Sequence, residues 1–177
     1  FDQESGLWIA TLELDPGAYE YKAVLNGSWD ENYGMRAQAG GSNISFKLAV
    51  AGPVTFLYNP VTHWIADDVS YPIVIAIGDF QKALGCTADD RSDCRRAWLQ
   101  DPDGDGVYVF TTDALPAGDY EATLTDNGVP LTTDPVSFTV ATDSDVTSLA
   151  FNPETGTFRA QEGEVVAGTP IVRPPDR

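Results

Sequence analysis

Four sets of residues in this chain have types and spacings that could do chemistry. In the first, Asn26-Gly27-Ser28-Trp29-Asp30-Glu31-Asn32-Tyr33-Gly34, two aromatic side chains sit in a polar, glycine-flanked run. An exposed tryptophan is costly in water, so such a loop either packs the ring or offers it to a ligand. A sugar would suit it: Trp29 and Tyr33 cover the apolar C–H face of a pyranose, while Asn26, Asp30 and Asn32 take the hydroxyls. The alternative is that Trp29 folds back over an open edge of its own domain, with Tyr33 closing the loop.

The second set is Asp101-Pro102-Asp103-Gly104-Asp105-Gly106. Carboxylates at positions 1, 3 and 5 and glycine at 6 reproduce the first half of an EF-type calcium loop. Position 12 is Thr112, not the bidentate Glu, and the VYVFTT that follows alternates like a strand. Two readings stand: a polar hairpin turn, or a calcium site on Asp101, Asp103 and Asp105 completed from elsewhere in the fold. No other cofactor is expected.

The third set is Cys86 and Cys94 in LGCTADDRSDC. The spacing is neither C-x-x-C nor a zinc pattern, and no partner Cys or His is near. A structural disulfide is the expectation and a pair of free thiols the alternative; the disulfide implies an oxidising, extracellular setting. The fourth set would be catalytic, and it is thin. His63 is the only histidine, at a turn-to-strand junction, and no nucleophile-elbow, zinc-protease or phosphate-loop motif occurs. Carboxylates abound, and a glycosidase needs only two, but two short sandwiches leave little chain to build a cleft. The expectation is a non-catalytic chain.

These residues must be positioned by β-structure. Apolar runs rich in Val, Ile, Thr, Phe and Tyr alternate with polar residues and recur about every ten positions, broken by DPG, LNG, DGDG, PAG, DNG and NPET. This predicts an all-β sandwich. Expected strands are 7–14, 18–25, 44–49, 54–58 and 64–66, then 73–78, 107–112, 119–124, 136–140, 148–151 and 157–159. Trp8 lies in an alternating strand and is expected in a core; Trp64 fits core or surface, and Trp98 is placed to anchor the cysteine loop. With 177 residues, 42% hydrophobic, the chain can bury a real core and is not disordered.

Its formal charge is −17, carried by 27 acidic against 10 basic residues. That excludes nucleic acid and anionic membranes as partners, and no apolar run is long enough to span a bilayer. The first residues show no charged-then-apolar leader, as expected equally of a processed chain or a fragment. The charge is spread as −6 over residues 1–70, −10 over 71–160 and −1 over 161–177, the pattern of a solvated surface.

Two stretches match each other. SGLWIATLELDPGAYEYKAVLNG aligns with DGVYVFTTDALPAGDYEATLTDNG, pairing Trp8 with Tyr108, Gly17 with Gly118 and Tyr19 with Tyr120. FLYNPVTHWIA aligns with LAFNPETGTFRA. The expectation is a tandem duplication, with modules at 1–70 and 71–160 and a Pro-rich linker or tail at 161–177. The strand YPIVIAIGDF and the cysteine loop have no counterpart ahead of Phe1, so the first module is expected to lack its leading strand and to leave a sheet edge open. The tail segment 165–172 is a candidate to fill that edge, with a linker as the alternative.

The run LELDPGAYEYKAVLNGSWDENYG, then GGSNISF and VTFLYNPVTHWIADD, resembles the tandem accessory modules of bacterial secreted pullulanases and amylopullulanases. IGDFQKALGC…DC…DPDGDGVYVFTTDALPAGDYEATL resembles the same module with its leading strand and paired cysteines. Together these cover about residues 1–160. The resemblance implies two immunoglobulin-like β-sandwiches attached to a secreted, multidomain enzyme that cleaves α-glucans, with the catalytic carboxylates in another domain. The N-G-x-W turn at Asn26–Trp29 is similar to that of glycogen-binding modules, which implies Trp29, Tyr33 and Asn32 as sugar contacts. The second copy lacks that Trp and Tyr. The implied partners are an α-glucan polysaccharide and adjacent domains of the same enzyme; the alternatives are a structural spacer without glucan affinity and, more remotely, a calcium-rigidified adhesin-like protein.

Overall fold

The computed structural model describes residues 1–162 and 170–174. The described chain is all-β: fourteen short strands joined by turns, with two brief 3₁₀ turns at Met35–Ala37 and Arg95–Ala97. Contacts gather into two compact units, one of Phe1–Asp2 with Leu7–Pro72, the other of Gln3–Gly6 with Ile73–Arg177.

The first unit holds β1 (Trp8–Leu14), β2 (Gly17–Tyr21), β3 (Ala23–Val24), β4 (Asn32–Tyr33), β5 (Ile44–Leu48), β6 (Gly52–Tyr58) and β7 (Ile65–Asp67). One sheet runs β1-β6-β7, all antiparallel, with register Trp8↔Tyr58 through Leu14↔Gly52. The other face is built from β2 paired with β5 and β3 paired with β4. Alternation puts Tyr21, Phe46 and Phe56 into mutual edge-on contact, with the Tyr21 and Phe56 rings 4.9 Å apart. Tyr21 also donates from its hydroxyl to Oδ2 of the fully buried Asp67 (2.7 Å). Burial and that carboxylate push the Tyr21 phenol far above its ordinary value, so it stays protonated and donating.

The expected core position of Trp8 is corrected by the structure: the side chain is 56% exposed, with the Phe1 ring edge-on to it at 5.3 Å. On the same face Ala10 and Leu12 are exposed too, although Val54, the cross-strand partner of Leu12, is fully buried. The alternation is present; no described strand covers it. Trp64 resolves to the core, 4% exposed and edge-on to Tyr71.

The second unit holds β8 (Val74–Gly78), β9 (Tyr108–Thr112), β10 (Gly118–Asp126), β11 (Val129–Pro130), β12 (Val136–Val140), β13 (Thr147–Asn152) and β14 (Thr157–Glu162). β10 is flanked by β12 and β11 along one edge and by β8 along the other; the facing sheet runs β14-β13-β9. Between them lies a buried cluster that includes Val74, Ala76, Phe80, Phe110, Leu124 and Phe138. Cys86 and Cys94 form the expected disulfide, with Cα atoms 6.0 Å apart. Fully buried Gln81 braces that loop, donating to the Arg91 carbonyl (2.8 Å) and accepting from the Arg91 N–H (2.7 Å). Buried Trp98 bridges to Ile75 of β8 and so fixes the far end of the cysteine segment.

Of the tail, residues 163–169 and 175–177 lie outside the described part. Ile171 and Val172 lie against β9: the Val172 N–H donates to the Thr111 carbonyl (2.8 Å) and the Thr112 hydroxyl donates to the Val172 carbonyl (2.7 Å). Arg173 forks onto Asp113 (Nε–Oδ1 2.8 Å).

Candidate functional site

The loop between β3 and β4 is held by its own short hydrogen bonds. Asn26 and Gly27 turn the chain in the left-handed region (φ 54° and 67°), which asparagine and glycine tolerate best. The Ser28 N–H donates to the Leu25 carbonyl, and the Leu25 N–H to the Glu31 carbonyl, each at 3.0 Å. The Ser28 hydroxyl donates to Asp30 Oδ2 (2.7 Å), and Asn32 Nδ2 donates to the Trp29 carbonyl (2.8 Å). The result is a braced tip with Trp29 70% exposed, its indole without a ring partner among the described residues. The indole does not fold back over the sheet edge.

Tyr33 is placed differently. Its ring is half-buried and lies flat on the His63 imidazole, with centroids 3.8 Å apart and planes 2° from parallel. His63 reaches it because Asn59-Pro60-Val61-Thr62 forms a turn in which Asn59 Oδ1 accepts from the Val61 N–H (2.9 Å). That turn ends with His63 itself at φ 60°. Nδ1 of His63 shares a 2.7 Å hydrogen bond with the Tyr58 hydroxyl. The Tyr33 hydroxyl donates to Glu31 Oε1 (3.1 Å). Partial burial, then that hydrogen bond and charge, hold the Tyr33 phenol above its ordinary value; burial pushes Tyr58 up to about 12. Both phenols are therefore neutral near neutral pH. Gly34 follows because nothing larger fits: a Cβ there would lie 2.1 Å from the Ser42 carbonyl oxygen.

Thus Trp29, Asp30, Asn32 and Tyr33 share one braced loop, but their free valences differ. The Trp29 face is open. Asn32 spends its amide N–H on Trp29, and its buried Oδ1 has no partner among the described residues. Asp30 is engaged by Ser28, while Asn26 stands at the base of the loop, lining the apolar groove beside β3. His63, the support under Tyr33, was not among the expected contacts. Its only sequence signal is its place after the Asn-Pro turn.

Asp101, Asp103 and Asp105 converge, with ligand oxygens within 4.8 Å of one another. Each also serves the turn: Asp101 accepts from the Gly104 and Gly106 N–H groups (2.8 and 3.2 Å), and Asp105 from Val107 (2.7 Å). Burial, then neighbouring Asp103, raises the Asp101 carboxyl above the ordinary range. Thr112, the twelfth position of the calcium pattern, is buried in β9 and bonded to the tail, not turned toward the carboxylates.

The model of the pullulanase X25 domain matches residues 1–65 and 73–129. The chain belongs to the pullulanase X25 domain family. An X25 domain is an accessory part of pullulanase-type enzymes and not a catalytic domain. The amylopullulanase of Thermoanaerobacterium thermosulfurigenes is 31% identical over 129 residues, 68% of this chain and 7% of that protein. That of Thermoanaerobacterium saccharolyticum is 29% identical over 161 residues, 81% of this chain and 12% of that protein. The phosphoglucan phosphatase DSP4 of Castanea sativa, an amyloplastic protein, is 53% identical over 32 residues, 18% of this chain and 8% of that protein. This X25 chain therefore spans only about a tenth of the length of the curated relatives it matches.

Proposed function

We propose that the chain is a pair of non-catalytic, immunoglobulin-like modules of a secreted pullulanase-type enzyme, and that the first module assists binding of starch or pullulan. The observation that carries this is Trp29: a large apolar ring 70% exposed at the tip of a loop braced by hydrogen bonds. A pre-ordered ring loses little entropy on stacking against a glucose unit. Relatives named as amylopullulanases and a phosphoglucan phosphatase point to α-glucan as the polymer. The disulfide suits an extracellular protein. A surface of net charge −17 suits a neutral polysaccharide better than an anionic one. Calcium on Asp101, Asp103 and Asp105 would then be a stiffening element remote in sequence from the glucan loop.

The test is affinity electrophoresis in gels with and without starch or pullulan. The wild-type chain is expected to be retarded by polysaccharide and Trp29→Ala to run unretarded. Equal mobility of the wild type in both gels would contradict glucan binding. It would favour the second reading, a spacer that docks on adjacent domains, which the internally engaged groups of Asp30 and Asn32 support.

A further inference from the structure

The first unit carries an apolar groove of about 650 Å³, lined by Trp8, Ala10, Phe56 and Tyr58 on one side and by Ala23 and Leu25 on the other. It coincides with an unpaired strand edge. Ala23 pairs with Tyr33, and the Leu25 N–H donates to the Glu31 carbonyl, so strand alternation turns the N–H and C=O of Lys22 and Val24 to the opposite side. No described strand pairs with that side.

The second unit shows what belongs there. Tyr21–Leu25 aligns with Ala122–Asp126, the stretch of β10 that pairs with β8 in the register Ala122↔Gly78 through Asp126↔Val74. Asn127, at φ 46°, closes the ladder by donating to the Ile73 carbonyl (3.0 Å); its counterpart Asn26 is poised at φ 54° with no such acceptor among the described residues. Val74 and Ala76 of β8 enter the cluster that buries Phe110, and the counterpart of Phe110 on the first unit's facing sheet is exposed Ala10.

We propose that this groove is an acceptor slot for one extended apolar β-strand of the sequence type of Ile73–Gly78, which pairs antiparallel with the free edge of Tyr21–Leu25 and covers Trp8 and Ala10. Backbone pairing along Lys22, Val24 and Asn26 supplies the ladder, and small or β-branched side chains at alternate positions fill the groove. The inference is independent of the glucan reading, which concerns the loop tip.

The experiment titrates the full chain with a synthetic peptide of the sequence Tyr71–Gly78, followed by calorimetry and amide exchange. Binding is expected to be saturable at one peptide per chain, with new protection at Val24 and Asn26. Val24→Pro removes a donor that faces only the free edge, so it leaves the β3–β4 bonds intact and should weaken the peptide by about tenfold or more. Ala10→Arg puts a charge in the groove and should do the same, with folding of both variants checked by circular dichroism. Absence of binding, or equal affinity in both folded variants, overturns the proposal. So does competition by maltoheptaose, which would make the groove a sugar site. Concentration-dependent dimerisation that the peptide fails to reverse would make a second copy the occupant and equally overturn it.

Discussion

Strands β1 and β9 carry aligned sequences, WIATL and YVFTT, and each pairs antiparallel with an aligned neighbour. Their inner faces nevertheless differ. Phe110 and Thr112 of β9 are 2% and 1% exposed, whereas Trp8 and Leu12 of β1 are 56% and 51% exposed. Strand pattern is alike on both sides, so the difference comes from what lies opposite: β8 fills the second unit, and no described strand plays that part in the first. Alternation tells which face of a strand is apolar; only the neighbouring element decides whether that face leaves water.

The largest expected effect follows directly. Phe110→Ala should cost about 3–5 kcal/mol by cavity formation, while Trp8→Ala, already wet, should change stability by about 1 kcal/mol or less. Thermal or urea unfolding, with amide exchange to separate the units, checks both values. Equal costs would erase the distinction between the two faces. Next in size, reducing Cys86–Cys94 should lower the protection of β8 and β9 by about 2–3 kcal/mol and leave β1 and β6 unchanged. Loss of protection in β1 would show that the units do not open separately.

The smallest effect is a titration. The Arg173 guanidinium, first by hydrogen bond and then by charge, holds the Asp113 carboxyl below the ordinary range. The folded value is depressed, so the stability it lends is present above the unfolded value of about 4 and lost as pH falls through the lower folded one. Arg173 is largely exposed, so the contribution should be about 1 kcal/mol or less after screening. Corrected for the intrinsic pH dependence of exchange, the protection of the Val172 amide should fall as pH drops below about 4 in wild type. In Asp113→Asn the protection should be lower by about fivefold or less and should not change across that pH range. A pH-independent Val172 would assign the tail's attachment to its backbone bonds alone.

Most strands were legible because period-two alternation and Gly, Pro or Asp turns mark them independently of context. β4 and β11 were not, since two residues carry no period and both rely on a preceding turn to close. The Trp29 loop was legible as an anomaly of composition. The Tyr33–His63 stack was not, because it depends on the left-handed backbone at His63, which no residue type there announces. The alternation of β1 puts Trp8 inside for a sound local reason, but no described strand covers that face.

The four tryptophans make the central claim directly measurable, as Trp29 and Trp8 are exposed and Trp64 and Trp98 are buried. Their indole N–H signals can be followed by heteronuclear NMR while maltoheptaose or a pullulan oligosaccharide is added. The glucan-binding account predicts a saturable shift of the Trp29 signal, with Trp64 and Trp98 unmoved. A silent Trp29 at saturating sugar, or a shift confined to Trp8, would contradict it.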